Sequence, residues 1–152
     1  MSESRTAEPR LLFPSLAGFY VTWSEIGDTL VRVIIGYILL MHGWGKLSTG
    51  IAGVSGYMAK LGLVPGVAFG SAAMFLETVG ALCLIVGLFT RFFAAALAIE
   101  MAIAFIVVHM TKGFAASQGG FEYVLLLGIV LFAIALRGGG PYSLDAKIGK
   151  EL

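Results

Sequence analysis

Between Val67 and Met110 the chain is apolar almost throughout, interrupted mainly at Thr90 and Arg91. About 20 apolar residues rising 1.5 Å each cross the roughly 30 Å hydrocarbon layer of a bilayer. The stretch therefore divides into two spans, at about Val67–Phe89 and Phe92–Met110, joined so closely that they must form an antiparallel hairpin. Two further segments, about Leu30–Leu47 and Phe121–Leu136, have the same character. A mean hydropathy of +0.95 lies far outside the range of soluble domains. With no water inside a bilayer to satisfy the backbone, spans of this length must be helical. The expectation is an all-α, polytopic membrane protein: a four-transmembrane-helix bundle with a short N-terminal interfacial segment.

The flanks divide the chain further. Residues 1–29 form an N-terminal cytoplasmic or interfacial segment, in which "LLFPSLAGFYV" is too short to span and is broken by Pro14. Tyr20 and Trp23 sit at headgroup depth. Residues 30–137 form the four-helix membrane domain and 138–152 a cytoplasmic C-terminal tail that begins with the helix-ending "RGGGP". The glycine-rich "STGIAGVSGYMAKLGLVPG" between the first two spans is a structured loop or a short re-entrant segment; the sequence leaves both open. With the N-terminus inside, Arg5, Arg10, Arg32, Arg91, Arg137, Lys147 and Lys150 fall on the inner side, against Lys46, Lys60 and Lys112 outside. The positive-inside rule then puts both termini in the cytoplasm.

Several function classes drop out. A formal net charge of +1 offers no basic surface for nucleic acid. The single cysteine, Cys83, lies in an apolar run, which excludes an internal disulfide, a CxxC pair and a thiolate metal cluster. Neither a Walker loop nor a GxGxxG is present, and no pair of Glu-x-x-His motifs exists for a di-iron site, so no metal is expected. Two histidines at one level could in principle clamp a haem, but their spacing does not point to one. The absence of inverted repeats and broken helices argues against a transporter.

Chemistry resides in the ionisable residues within spans, each costing about 2.5–3.5 kcal/mol at the bilayer centre unless it has a partner or a function. They are Arg32, His42, Glu77, Glu100, His109 and Glu122. His42, His109 and Glu122 fall in the outer leaflet, level with Trp44, Lys46, Lys112 and Tyr123. In "MHGWGKL", Gly43 and Gly45 thin the helix so that His42 can reach towards His109 and Glu122, while Lys46 snorkels outward. Glu77 lies near the midplane, about 15 Å below the outer end of its helix. Ala73, Gly80 and Ala81 bracket it, so this face points into the bundle, and Arg32 is the nearest cation along the axis. Its role is either structural hydrogen bonding or proton handling. On the third span, Ala94, Ala98, Ala102, Phe105 and His109 form a small-residue stripe. Glu100 falls on the opposite side, facing lipid at a bundle edge or another polypeptide.

In order along the chain, "HGWGKL", "FLETVGALCLIVGLFTR", "VHMTKGF", "GGFEYVLLL" and "GPYSLD" resemble the DoxX family of small four-helix membrane proteins, from about Leu30 to Asp145. The resemblance marks His42, Lys46, Glu77, Arg91, His109, Glu122 and Asp145 as matches to the family's recurring polar positions. Glu100 departs from the pattern, where an aliphatic residue is usual. The family's association with quinone reduction and redox stress implies a bacterial or archaeal inner-membrane subunit of a quinone-linked redox system. In that reading a quinone is the possible cofactor, and His42, Lys46, Glu77, His109 and Glu122 form the candidate quinone or proton site. The alternative is a non-catalytic accessory subunit of a larger complex, contacting other membrane subunits or a second copy through Glu100 and the N-terminal segment. The sequence names no catalytic residue.

Overall fold

In the computed structural model, residues 11–152 are described, and all regular structure among them is helical. Arg5 and Arg10 of the charge argument lie outside the described residues. A 3-10 turn over Pro14–Leu16 leads into α1, Ala17–Lys60. α2 occupies Gly66–Val86 and α3 Thr90–Lys112. α4 is Glu122–Arg137 and α5 the short Leu144–Ile148. Three helices, α1 to α3, are long and apolar enough to cross a membrane. α4 is equally apolar but has only 16 residues, short of that length, so the expected count of four spans is met by three full-length helices and one shorter one.

α1 differs from expectation at both ends. It starts at Ala17, so the stretch expected at the interface continues directly into the first span. It also runs through the glycine-rich region, bending once at Gly50, whose φ of 78° and ψ of 158° no β-carbon would favour. Residues 17–49 form a first limb roughly 50 Å long at 1.5 Å per residue. Residues 51–60 form a second limb, where Val54 and Ser55 are buried against α2. The segment expected as loop or re-entrant is thus a second helical limb.

Small residues bring α1 and α2 together. A β-carbon on Gly36 would meet the Ala81 carbonyl at 3.0 Å, and one on Gly43 the Glu77 carbonyl at 2.3 Å. α3 and α4 pack through rows at helical spacing: Ala94, Leu97 and Met101 against Val124, Leu127, Leu131 and Ile134. Outward-facing Ile99, Ile106, Leu126 and Ile129 are each more than half exposed, a surface suited to lipid and not to water.

The α2–α3 turn is Gly87 to Phe89, three residues earlier than expected, because Gly87 takes the left-handed conformation that ends α2 and Thr90 already begins α3. The tail folds back beneath this turn. Asp145, 1% exposed, accepts hydrogen bonds from the Phe89 and Thr90 amides at 2.7 and 2.9 Å, and its own amide donates to the Gly87 carbonyl at 2.9 Å. Arg32, 2% exposed, donates to the Leu84 and Ile85 carbonyls that end α2 and to the Tyr142 carbonyl. Arg91 treats the end of α4 in the same way, donating to the carbonyls of Ala135, Leu136 and Arg137 while its Nε meets Glu151 at 2.5 Å. Two arginines thus satisfy the orphan carbonyls of two helices, as cations at helix C-termini do.

Asp145→Ala leaves two amides at the α3 N-terminus without their acceptor. It should destabilise the detergent-solubilised protein by about 2–4 kcal/mol in thermal unfolding. Asp28→Ala, which breaks only the exposed pair with Arg137, should cost under about 1 kcal/mol.

Candidate functional site

Gly43 sets the geometry of the site. Its missing side chain lets α1 lie against the backbone of Glu77, and Lys46, one helical turn further on, then reaches the Glu77 carboxylate as an ion pair. The Glu77 side chain is 6% exposed and that of Lys46 26%. Around Glu77, over Leu76–Gly80, α2 widens into a π-helical turn. Such turns insert a residue and re-aim side chains, often at functional sites. Lys46 therefore points inward, not outward, and it, not Arg32, is the partner of Glu77. Arg32 is committed to the far end of α2.

Glu100 joins this row. It borders the same cavity as Lys46 and Glu77, and its Oε2 is buried without a hydrogen-bond partner. The buried face of α3 is Thr90, Phe93, Ala94, Leu97 and Met101. At 100° per residue that face lies roughly 80° around the helix from the alanine stripe, towards Glu100. Ala94 is buried as expected, but Ala102 is exposed. Glu100 thus borders the cavity and does not sit directly opposite the packing face, where the alanine stripe had placed it.

These groups border a partly open cavity of about 410 Å³ lined by both limbs of α1 and by α2, α3 and α4. Its walls are mostly apolar, including Leu39, Phe69, Leu76, Ile103 and Leu127. The polar side chains on it are His42, Lys46, Tyr57, Glu77, Glu100, His109 and Tyr123. Pockets of this size and make-up, with a few convergent polar groups, are the usual form of a small-molecule site.

The two histidines share the cavity but not a hydrogen bond. The His42 ring lies 6.5 Å from that of Tyr123, centre to centre. His109 sits in a second π-helical turn, Phe105–His109, and its Nδ1 is 2.7 Å from the Gly119 carbonyl. Since a carbonyl only accepts, Nδ1 carries the hydrogen and Nε2 is the ring's acceptor when neutral. Glu122 stands apart: it does not line the cavity, and its Oε1 accepts from the Ala116 amide at 2.9 Å, holding the α3–α4 loop. Of the five residues expected at the site, His42, Lys46, Glu77 and His109 converge, and Glu122 does not. Tyr123, expected at the same level, lines the cavity as well; Glu100 is the cavity residue that sequence reasoning placed elsewhere, and Tyr57 the one it passed over. Gly43 carried the available signal for Lys46, being three residues before it on the same helix face.

Residues 27–110 match the model of the DoxX family. The chain is similar to an uncharacterized protein of Haemophilus influenzae, 33% identical over 129 residues covering 80% of this chain and 90% of that protein. It is also similar to a Bacillus subtilis protein named "Putative oxidoreductase CatD", 32% identical over 126 residues covering 83% of this chain and 90% of that one. No solved structure matches it significantly.

The close approach at Gly43 can be tested directly. Gly43→Ala places a methyl group against the Glu77 carbonyl and should lower stability by about 1–3 kcal/mol. Gly45→Ala, in the same turn but with nothing within 4 Å, should change it by less than about 0.5 kcal/mol. Thermal unfolding of both variants in one detergent makes the comparison.

Proposed function

The chain belongs to the DoxX family, and from that premise we propose that it is an integral membrane subunit of a quinone-linked redox system, with the cavity as the ligand site. The observation that carries this reading is the apolar cavity with its polar row of Lys46, Glu77 and Glu100 on one wall and His42 and Tyr123 beside it. The printed name of the Bacillus subtilis relative, an oxidoreductase, agrees with it. The residues fit a quinone: apolar side chains suit a ring and its tail, and the Lys46 ammonium, the His42 imidazole and the Tyr123 hydroxyl are donors suited to ring oxygens. A bound quinone would supply two-electron, two-proton acceptor chemistry. The chain's own part is to exclude water, hold the ring by its oxygens and keep protonatable groups beside it. The electrons come from another subunit of the complex.

In this reading α4 completes a fourth span, and both termini face the cytoplasm of a bacterial or archaeal inner membrane. A cysteine at Gly53 should then label from outside, and one at Gly149 should not; the opposite pattern would reverse the orientation. The accessory reading draws on one feature. Phe19 and Trp23 are each 54% exposed on the extension of α1, a contact surface for a larger complex.

Quinone retained by the purified protein separates the two. His42→Ala should lower occupancy about five- to tenfold through loss of one donor. Glu122→Gln, altering only the loop, should leave it within about twofold. Equal occupancy in wild type and His42→Ala, or none in either, leaves the accessory reading.

A further inference from the structure

The row of Lys46, Glu77 and Glu100 sets one basic and two acidic side chains on the same cavity, the first two as an ion pair. Fully ionised, it would carry an uncompensated negative charge near the middle of the bundle, in surroundings of low dielectric where such a charge is strongly penalised. Two carboxylates only accept, so this pair can hydrogen-bond only through a hydrogen held between them. Glu100 Oε2 is buried without a hydrogen-bond partner, beside the Lys46–Glu77 ion pair on that cavity. The remaining ionisable groups on the cavity are His42 and Tyr57 of α1, His109 of α3 and Tyr123 of α4, and His109 already donates to the Gly119 carbonyl. None of them is hydrogen-bonded to Glu100. A metal cation is a poor alternative, because no group of three or more His, Cys, Asp or Glu side chains suited to holding one exists among the described residues.

We infer that Glu77 and Glu100 share one exchangeable proton, held beside Lys46, and that the row is a proton-loading site within the membrane that opens on the cavity. With the proton in place the row is neutral: ammonium, carboxylate and carboxylic acid. When the proton passes to a basic atom of a ligand or to water in the cavity, the pair carries two negative charges against one positive, and it reloads when a proton returns. No electron moves in this step. The inference does not depend on the identity of the cavity's ligand, so it stands or falls separately from the quinone reading.

Infrared spectroscopy of the purified protein in lipid at neutral pH tests it. Solvent-exposed carboxylates are ionised there, so the carbonyl stretch of a protonated carboxyl reports the shared proton. Wild type should show one such band, shifting on transfer to heavy water. Glu100→Gln and Glu77→Gln should each abolish it, since either change leaves one carboxylate matched to one ammonium. Lys46→Met, leaving two carboxyls and no cation, should roughly double it. Where a variant fails the size-exclusion check for folding, the wild-type band decides: it should disappear on alkaline titration and be indifferent to sodium. Absence of the band in wild type, its survival in both glutamine variants, or its loss on adding sodium at constant pH would each overturn the proposal.

Discussion

Burying Lys46 against Glu77 is the constraint on which the arrangement of α1 and α2 depends. Removing two charges from water costs several kcal/mol each even after relaxation, and only close contact between them offsets it. That contact requires α1 to approach α2 more closely than a side chain at position 43 would permit, and the bare backbone of Gly43 meets the requirement. The same approach repeats two turns earlier at Gly36, against the Ala81 carbonyl and Ile85. The ion pair and the glycine seam are therefore one feature. Without the seam Lys46 would have no partner within reach, and without the pair both charges would lie exposed to an apolar interior.

Polar groups are managed differently at the two ends of the bundle. At the Asp145 end, Arg32, Arg91 and Asp145 are spent on backbone groups: the carbonyls that finish α2 and α4, and the amides that start α3. Those groups have no helical partner by construction, and in a membrane protein the side chains must satisfy what water cannot reach. Towards the other end, Lys46 and Glu77 are spent on one another with Glu100 on the same cavity, and the space beside them stays open. Charges matched to fixed backbone dipoles build a scaffold, whereas ionisable groups matched to one another can change their protonation.

Three of the spans, the hairpin of α2 and α3, and the inward face of Glu77 were legible in the sequence, because each rests on a local pattern: apolar run length, a short connection, and Ala73, Gly80 and Ala81 at helical spacing. Glu100 was misplaced because the alanine stripe was taken as the packing face, while the buried face of α3 is built from Phe93, which meets Gly80 of α2, and from Leu97 and Met101, which join the core with α4. In lipid, large apolar side chains fill an interface as readily as small ones, so a stripe of alanines does not fix the direction of packing. Two π-helical turns, each inserting a residue, also shift the register beyond what a regular helical wheel describes. Lys46 read as an outward-snorkelling residue because nothing local announces that a carboxylate 31 positions away stands opposite. The role of Asp145 was marked only by resemblance, since its partners at Phe89 and Thr90 are remote in sequence.

Irregular backbone is concentrated where the chemistry is. Both π-helical turns border the cavity, one at Glu77 and one at His109; α3 finishes in a 3-10 turn, and a further 3-10 turn sits in the loop that Glu122 holds. α1 bends at Gly50 just beyond Lys46, and its second limb supplies Tyr57 and Met58 to the cavity wall. Each departure forgoes the even hydrogen bonding of a straight helix, a cost that lipid does not relieve. The Asp145 end, where helix termini are closed by buried side chains, supports these departures by fixing the helices relative to one another. A bundle locked at one end can place irregular turns and ionisable side chains around an open cavity at the other without losing its packing. In that division of labour, the locked end keeps Lys46, Glu77 and Glu100 in register beside the open cavity.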